Sequence, residues 1–222
     1  MKPLIVVAII LALLIVLWII GRLTFTLRLL RILTAANQPT LKTGRFYLTS
    51  NLKKPARFRL ICYRVTTPAT GPAIRTHRLC GIPGDIVEIK AGILYVNKKD
   101  ADKDLPLMHT YKMPADDTAG LIYDPKLAYT IPPYSDTLYV SLEDKYAQNN
   151  DLSWRRYILP PGLREEAVYK VHRKNWNQDN FGPVKVPAGK LFVLGDNRDN
   201  DMDSRYRGFI DHSKYLGTVL WK

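Results

Sequence analysis

The sequence predicts a mainly β fold carried behind one N-terminal transmembrane helix, and three observations lead there. The first is an uncharged run, "LIVVAIILALLIVLWII", from Leu4 to Ile20. The second is a succession of short runs rich in Ile, Val, Leu, Phe and Tyr, punctuated by Gly, Pro and Asn, which is the pattern of short strands. The third is a middle stretch, about Lys98 to Lys174, where this rhythm loosens and prolines come in pairs. With 222 residues, 46% of them hydrophobic, the chain can build one sizeable core and an appended lobe.

As a helix the apolar run covers about 26 Å at 1.5 Å per residue, enough to span a membrane with help from neighbours such as Leu23. Residues 1–23 are therefore expected to be an anchor. A cleavable signal peptide has a shorter apolar region, about 7 to 15 residues, that ends at small residues. Here the nearest small triplet, Thr34-Ala35-Ala36, lies well beyond the run. Orientation stays open on charge alone. Lys2 and the amino terminus flank one side and Arg22, Arg28 and Arg31 the other, a weak preference for a cytoplasmic body that a large following domain can override.

Residues 24–222 are expected to form the β domain. The candidate strands are "RFYLTS", "FRLICYRV", "DIVEIK", "GILYVN", "KLFVLGD" and "GTVLWK", with "IKAGILYVN" a hairpin closed by Ala-Gly. Residues 98–174 are expected to be an inserted lobe, marked by Pro132-Pro133, Pro160-Pro161 and one helix-like piece, "SLEDKYAQ".

The net charge of +13 raises a nucleic-acid reading, since clustered Lys and Arg neutralise phosphates. These basic residues are scattered through "KTGRF", "NLKKPARFR", "VNKKD" and "WRRY" without a nucleic-acid motif, so attraction to anionic lipid headgroups is the preferred explanation. Cys62 and Cys80 sit in apolar segments outside any metal spacing. They are expected to be two buried thiols, with a disulfide open if the body is exported.

Three separated segments carry chemistry. They are "TAANQPTLKTG", then "HRLCGIPGDIVEIKAGILYVN", then "NFGPVKVPAGKLFVLGDNRDNDMDSRYRGFI". The acidic run of the last fails as a calcium loop: counted from Asp199, the glycine and glutamate positions hold Ser204 and Ile210. A structural turn, in which Asp196 and Asn197 bond their own backbone, is the other reading.

Together the segments closely resemble type I signal peptidases, membrane-anchored serine endopeptidases that cut signal peptides from exported precursors. The resemblance rests on the apolar run, on the first segment with Pro39, on "R-x-x-G-x-P-G-D" from Arg78 through Gly84 to Asp85, and on "GDNRDN-x-x-DSR" from Gly195 to Arg205. That last block includes Asp196, Asn197, Arg198 and Asp203. The resemblance implies a signal-peptidase-like β core, no cofactor, and a serine whose proton passes to a lysine kept neutral by burial. It also implies a backbone amide and a hydroxyl for the oxyanion, and shallow pockets for small residues before the cut.

This chain departs from that pattern at three positions. Where the family has its serine there is Ala36, which has no atom able to attack. Where it has its lysine there is His77, a competent base near neutral pH and similar to the histidine of archaeal and eukaryotic signal peptidases. Where it usually has a serine near the base there is Asp201, read either as the orienter of His77 or as a solvated loop carboxylate. Thr34 fits the oxyanion-assisting hydroxyl. Thr34 and Thr40 are poor substitute nucleophiles, because an extended loop would displace their hydroxyls from the serine position by roughly 6 to 13 Å. An engineered Ser-to-Ala change is disfavoured, since Asn37 and His77 depart as well.

The expectation is a membrane-anchored peptidase relative whose hydrolysis is absent or feeble. The alternative is a non-catalytic protein that binds signal peptides or pairs with an active paralogue. The resemblance implies membrane lipid and signal peptides of exported precursors as partners, and the scattered basic residues give no nucleic-acid partner. It also implies a single-pass protein of the plasma (inner) membrane with its body on the extracytoplasmic side.

Overall fold

The computed structural model describes residues 3–67, 71–117, 120, 121, 123, 126, 128–130 and 136–220. Lys2, the Pro132-Pro133 pair and the end of the "GTVLWK" run lie outside them. Helix α1 (Pro3–Leu23) is exposed along its apolar length: the Pro3–Gly21 window has a mean hydropathy of 3.4 and none of it is buried. It is long and apolar enough to cross a membrane.

The body follows as β1 (Arg28–Arg31), β2 (Phe46–Ser50), β3 (Leu60–Thr67), β4 (Gly71–Gly81), β5 (Ile86–Lys90), β6 (Ile93–Val96), β7 (Lys99–Asp100) and β8 (Met108–Pro114). Then come β9 (Tyr129–Thr130), β10 (Thr137–Glu143), α2 (Asp144–Asn149), α3 (Glu166–His172), β11 (Phe181–Lys185) and β12 (Lys190–Leu194). The chain ends with α4 (Ser204–Arg207), β13 (Ile210–Asp211) and β14 (Tyr215–Val219). Among the described residues the strands form a seven-stranded sheet ordered β1-β2-β14-β3-β4-β12-β13, a four-stranded sheet β11-β5-β6-β7, and a three-stranded sheet β8-β10-β9. The fold is mainly β.

Local sequence accounts for much of this. The β5–β6 hairpin turns at Ala91 and Gly92, whose φ values of 46° and 75° match the twist that a two-residue hairpin needs. The "SLEDKYAQ" run divides, with Ser141 to Glu143 finishing β10 and the helix starting at Asp144. Cys80, Leu94, Phe181 and Phe192 join one core between the two larger sheets, and Ile61, Tyr63, Leu79 and Val193 join another on the seven-stranded sheet. Cys62 and Cys80 are free and buried. Burial pushes their thiols up to about 11 and about 12, so both stay protonated at neutral pH.

Candidate active site

Strand β4 positions the site because successive side chains point to opposite faces. His77 turns one way and Arg78 the other, and both are fully buried. The His77 ring lies on the diagonal from Tyr63 of β3, which is opposite Arg75. The Tyr63 hydroxyl is 2.7 Å from His77 Nδ1. On the other side His77 Nε2 is 2.8 Å from Asp201 Oδ2 and 3.0 Å from Asp201 Oδ1. Asp201 is thus no solvated carboxylate, its side chain being 3% exposed. The backbone N–H of Met202 also donates to Asp201 Oδ1 at 2.7 Å.

Each ring nitrogen of His77 thus faces an oxygen partner, Nε2 the Asp201 carboxylate and Nδ1 the Tyr63 hydroxyl. Burial raises the Tyr63 phenol far above its ordinary range, and the Asp201 and Asp203 charges add to the effect. Tyr63 therefore keeps its proton at neutral pH. Both nitrogens of His77 are engaged.

Ala36 arrives from the loop after β1. Its carbonyl accepts from Asn197 N–H at 3.0 Å, and the residue is 6% exposed. Gly195 lets it come close: a Cβ at that position would collide with Asp201 Oδ2 and lie 2.6 Å from Ala36 O. Ala36 O and Asp201 therefore meet at Gly195, and Asp201 in turn holds His77, although more than one hundred residues of chain separate Asp201 from the other two.

Thr34 is exposed and lines a cleft of about 360 Å³ with Ile32, Asn37, Ala73, Ile74 and His77. Beside it Asn37 is fully buried and donates from Nδ2 to Thr76 O at 2.5 Å, while its Oδ1 has no hydrogen-bond partner. The Ala36 loop itself is coiled rather than extended, with Gln38 N bonded to Ala35 O and Leu41 N to Asn37 O. The extended-loop distance expected for Thr40 therefore does not hold. Thr40 is instead committed elsewhere, since its hydroxyl donates to Asp196 Oδ2 and accepts from Arg78 at 3.2 Å.

The remaining motif residues form buried ion pairs that clamp these loops. Arg78 grips Asp196 through two bonds of 2.6 and 2.5 Å and donates to Phe58 O. Asp203 accepts from Gly195 N and pairs with Arg205 at 2.8 Å, and Arg205 donates on to Arg198 O. Arg198 in turn pairs with Asp102 at 2.5 Å. Gly84 takes φ 92° in the turn before Asp85, which accepts from Arg57, Ile82 N and Asn97. The self-bonded turn expected for Asp196 and Asn197 is not what forms. Asp196 bonds Arg78 and Thr40, and both polar side-chain atoms of Asn197 are buried without partners. An arginine distant in sequence satisfies Asp196 better than its own amides, because a charged, two-pronged pair is the stronger bond.

Sequence reasoning missed Tyr63, Asn37 as the holder of Thr76, and Asp102. A period-two reading of "RLICYRV" puts Ile61 and Tyr63 on one strand face, but nothing local says that His77 lies across from it.

The body is thus mainly β, follows a helix long and apolar enough to cross a membrane, and holds a buried His77–Asp201 pair whose aspartate lies beside the Ala36 loop. The sequence profile of the family described as "Signal peptidase, peptidase S26" matches residues 4–222, and the chain belongs to that family. Membership places it in a serine endopeptidase class. A signal peptidase I of Aquifex aeolicus (strain VF5) is 28% identical over 200 residues, covering 84% of this chain and 72% of that protein. One from Buchnera aphidicola subsp. Baizongia pistaciae is 25% identical over 224 residues, covering 89% and 70%. A signal peptidase I of Bacillus licheniformis is 60% identical over only 40 residues, 18% of this chain and 22% of that protein. The crystal structure of a signal peptidase I from Enterococcus faecalis V583 aligns with a TM-score of 0.37 and 22% identity, over 76% of this chain and 98% of that one.

Proposed function

We propose that this chain is a membrane-anchored member of its family that holds signal-peptide-like segments without hydrolysing them. The observation that carries this lies at the reacting centre: position 36 has no hydroxyl, and both ring nitrogens of His77 already have partners, Tyr63 at Nδ1 and Asp201 at Nε2. Acyl transfer needs a nucleophile within hydrogen-bond reach of an unoccupied base.

The binding side of the site is better kept. Among the described residues, 71–77 of β4 pair with β3 alone, because β12 reaches no further back than Arg78. They leave an edge to which an extended peptide can add as a strand, beside the small cleft lined by Ala73, Ile74 and Thr34. Asn37 already occupies the Thr76 carbonyl on that edge, so a bound peptide either displaces it or bonds further along. Thr34 keeps the place of the oxyanion hydroxyl, although no oxyanion forms without attack.

In this reading α1 crosses the plasma (inner) membrane once and the body lies on the extracytoplasmic side, where signal peptides of exported precursors emerge. An active paralogue would make the cut. Fluorescence polarisation of a labelled peptide ending in Ala-x-Ala, with the full-length protein in detergent, tests this. Saturable binding with no product by mass spectrometry is expected. Turnover that His77→Ala abolishes would overturn it.

A further inference from the structure

The loop that carries Ala36 has two faces. Asn37 lines the first cleft with His77, and the next two residues, Gln38 and Pro39, line a second cleft of about 390 Å³. Its apolar walls are Pro39, Met108, Tyr123 and Tyr146, and Lys42 and Glu143 stand at its rim. A volume of this size is that of a binding pocket rather than a packing flaw.

The cleft is tied to the reacting centre. Met108 N donates to Asp196 O at 2.9 Å, and Arg198 N donates to Met108 O at 2.9 Å. The Asp199 carboxylate accepts from Thr110 N at 2.7 Å. The β8 wall is thus fastened to the same turn that delivers Asp201, and the opposite wall is the Ala36 loop itself. Asn37 and then Gln38 and Pro39, which follow position 36 directly, thus join the first cleft to this space.

We infer that the second cleft is a subsite for the far arm of the same peptide, the chain beyond the Ala-x-Ala junction, and that it takes one large apolar or aromatic side chain there. This rests on the peptide-holding reading above and names its ligand more closely. The occupant is fixed by continuity, because the two clefts are consecutive along one loop. Its chemistry is fixed by the walls: two tyrosine rings, a methionine and a proline accept an apolar group, while the ammonium and carboxylate at the rim suit the polar backbone of an extended chain. The consequence is that an uncut junction, which fills both clefts, is a better ligand than either product of cutting it.

The test uses the full-length protein in detergent and three labelled peptides. The first is an apolar segment ending at Ala-x-Ala, the second continues with a Gly-Ser arm, and the third carries Phe in one of the first four positions of that arm. The Phe-bearing peptide is expected to bind on the order of tenfold tighter or more than the other two, as burial of one large apolar side chain implies. Thr43 is exposed and also lines the second cleft, so Thr43→Trp is expected to remove that gain and leave the peptide ending at Ala-x-Ala unchanged. Equal binding of all three peptides, or a gain that survives Thr43→Trp, overturns this subsite while leaving the peptide-holding reading intact. No binding by any peptide overturns both.

Discussion

The Tyr63 hydroxyl lies 2.7 Å from Nδ1 of His77, the nitrogen that a serine protease would leave facing its nucleophile once Asp201 holds the other. The tyrosine closes the network from the inside of the core, where it is fully buried. What looks in the sequence like a base waiting for a serine is in the fold a saturated Tyr–His–Asp chain.

Ala36→Ser alone is therefore expected to leave the protein inactive. Losing serine or histidine from a serine protease costs on the order of 10⁶ in rate. Supplying the hydroxyl without a free base should recover little of that, within about tenfold of the parent in cleavage of an Ala-x-Ala peptide. Vigorous cleavage by the single variant would show that His77 leaves Tyr63 readily.

Tyr63→Phe leaves His77 Nδ1 buried without a donor. The expected loss of stability is about 1–3 kcal/mol, read as a lower denaturant midpoint. A neutral effect would mean that the hydroxyl contributes nothing to holding the ring.

The Arg78–Asp196 pair is more demanding, since both side chains are at or below 1% exposure. Asp196→Ala strands a buried guanidinium and releases Thr40, and is expected to cost about 3–5 kcal/mol. Replacing a buried pair by well-packed apolar groups can be neutral. The comparison to make is therefore Asp196→Ala against Arg78→Met with Asp196→Leu in thermal unfolding, and an equal loss in both would contradict a stranded charge as the cause.

Much of this site was legible because motif residues are local words. "GDNRDN", "R-x-x-G-x-P-G-D" and "NQPTL" mark their own turns, and Ala-Gly announced the β5–β6 hairpin through its need for positive φ. The strand that carries His77 was harder to read. β4 is "GPAIRTHRLCG", with two arginines, a histidine and a proline among its eleven residues, and tertiary pairing to β3 and β12 overrides that weak propensity. Tyr63 was invisible as a site residue for the same reason: its role depends on the β3–β4 register, which no local pattern encodes. Asp196 reads as a turn former until Arg78 is seen across from it.

Gly195→Ala tests how the reacting centre is assembled. The added methyl would collide with Asp201 Oδ2 and press on Ala36 O, both of which belong to tied-down loops. Expected are a loss of about 1–3 kcal/mol, typical of overpacking, and weaker peptide binding. Unchanged binding would separate Ala36 and Asp201 functionally.

Acid should act on the β8–β10 sheet through Asp144. Burial alone would raise this carboxyl, but hydrogen bonds from His109 and Tyr111 and the Arg156 charge outweigh burial and hold it below its ordinary value. A depressed folded pKa contributes stability that is fully present above the unfolded value of about 3.9 and is lost as pH falls through the folded one. Asp144→Asn should therefore lower stability near neutrality and flatten its dependence on pH below about 4, as read by tyrosine fluorescence across a denaturant series. A variant as acid-sensitive as the parent would assign the effect to another group.

The most direct test of the central claim is the fate of a bound peptide. The unmodified full-length protein, in detergent at neutral pH, is incubated with a peptide spanning an Ala-x-Ala junction, and the complex is isolated and weighed by mass spectrometry over hours. A saturable complex with the peptide intact is the expected result. Peptide cut after the junction, with cutting lost in His77→Ala, would contradict it.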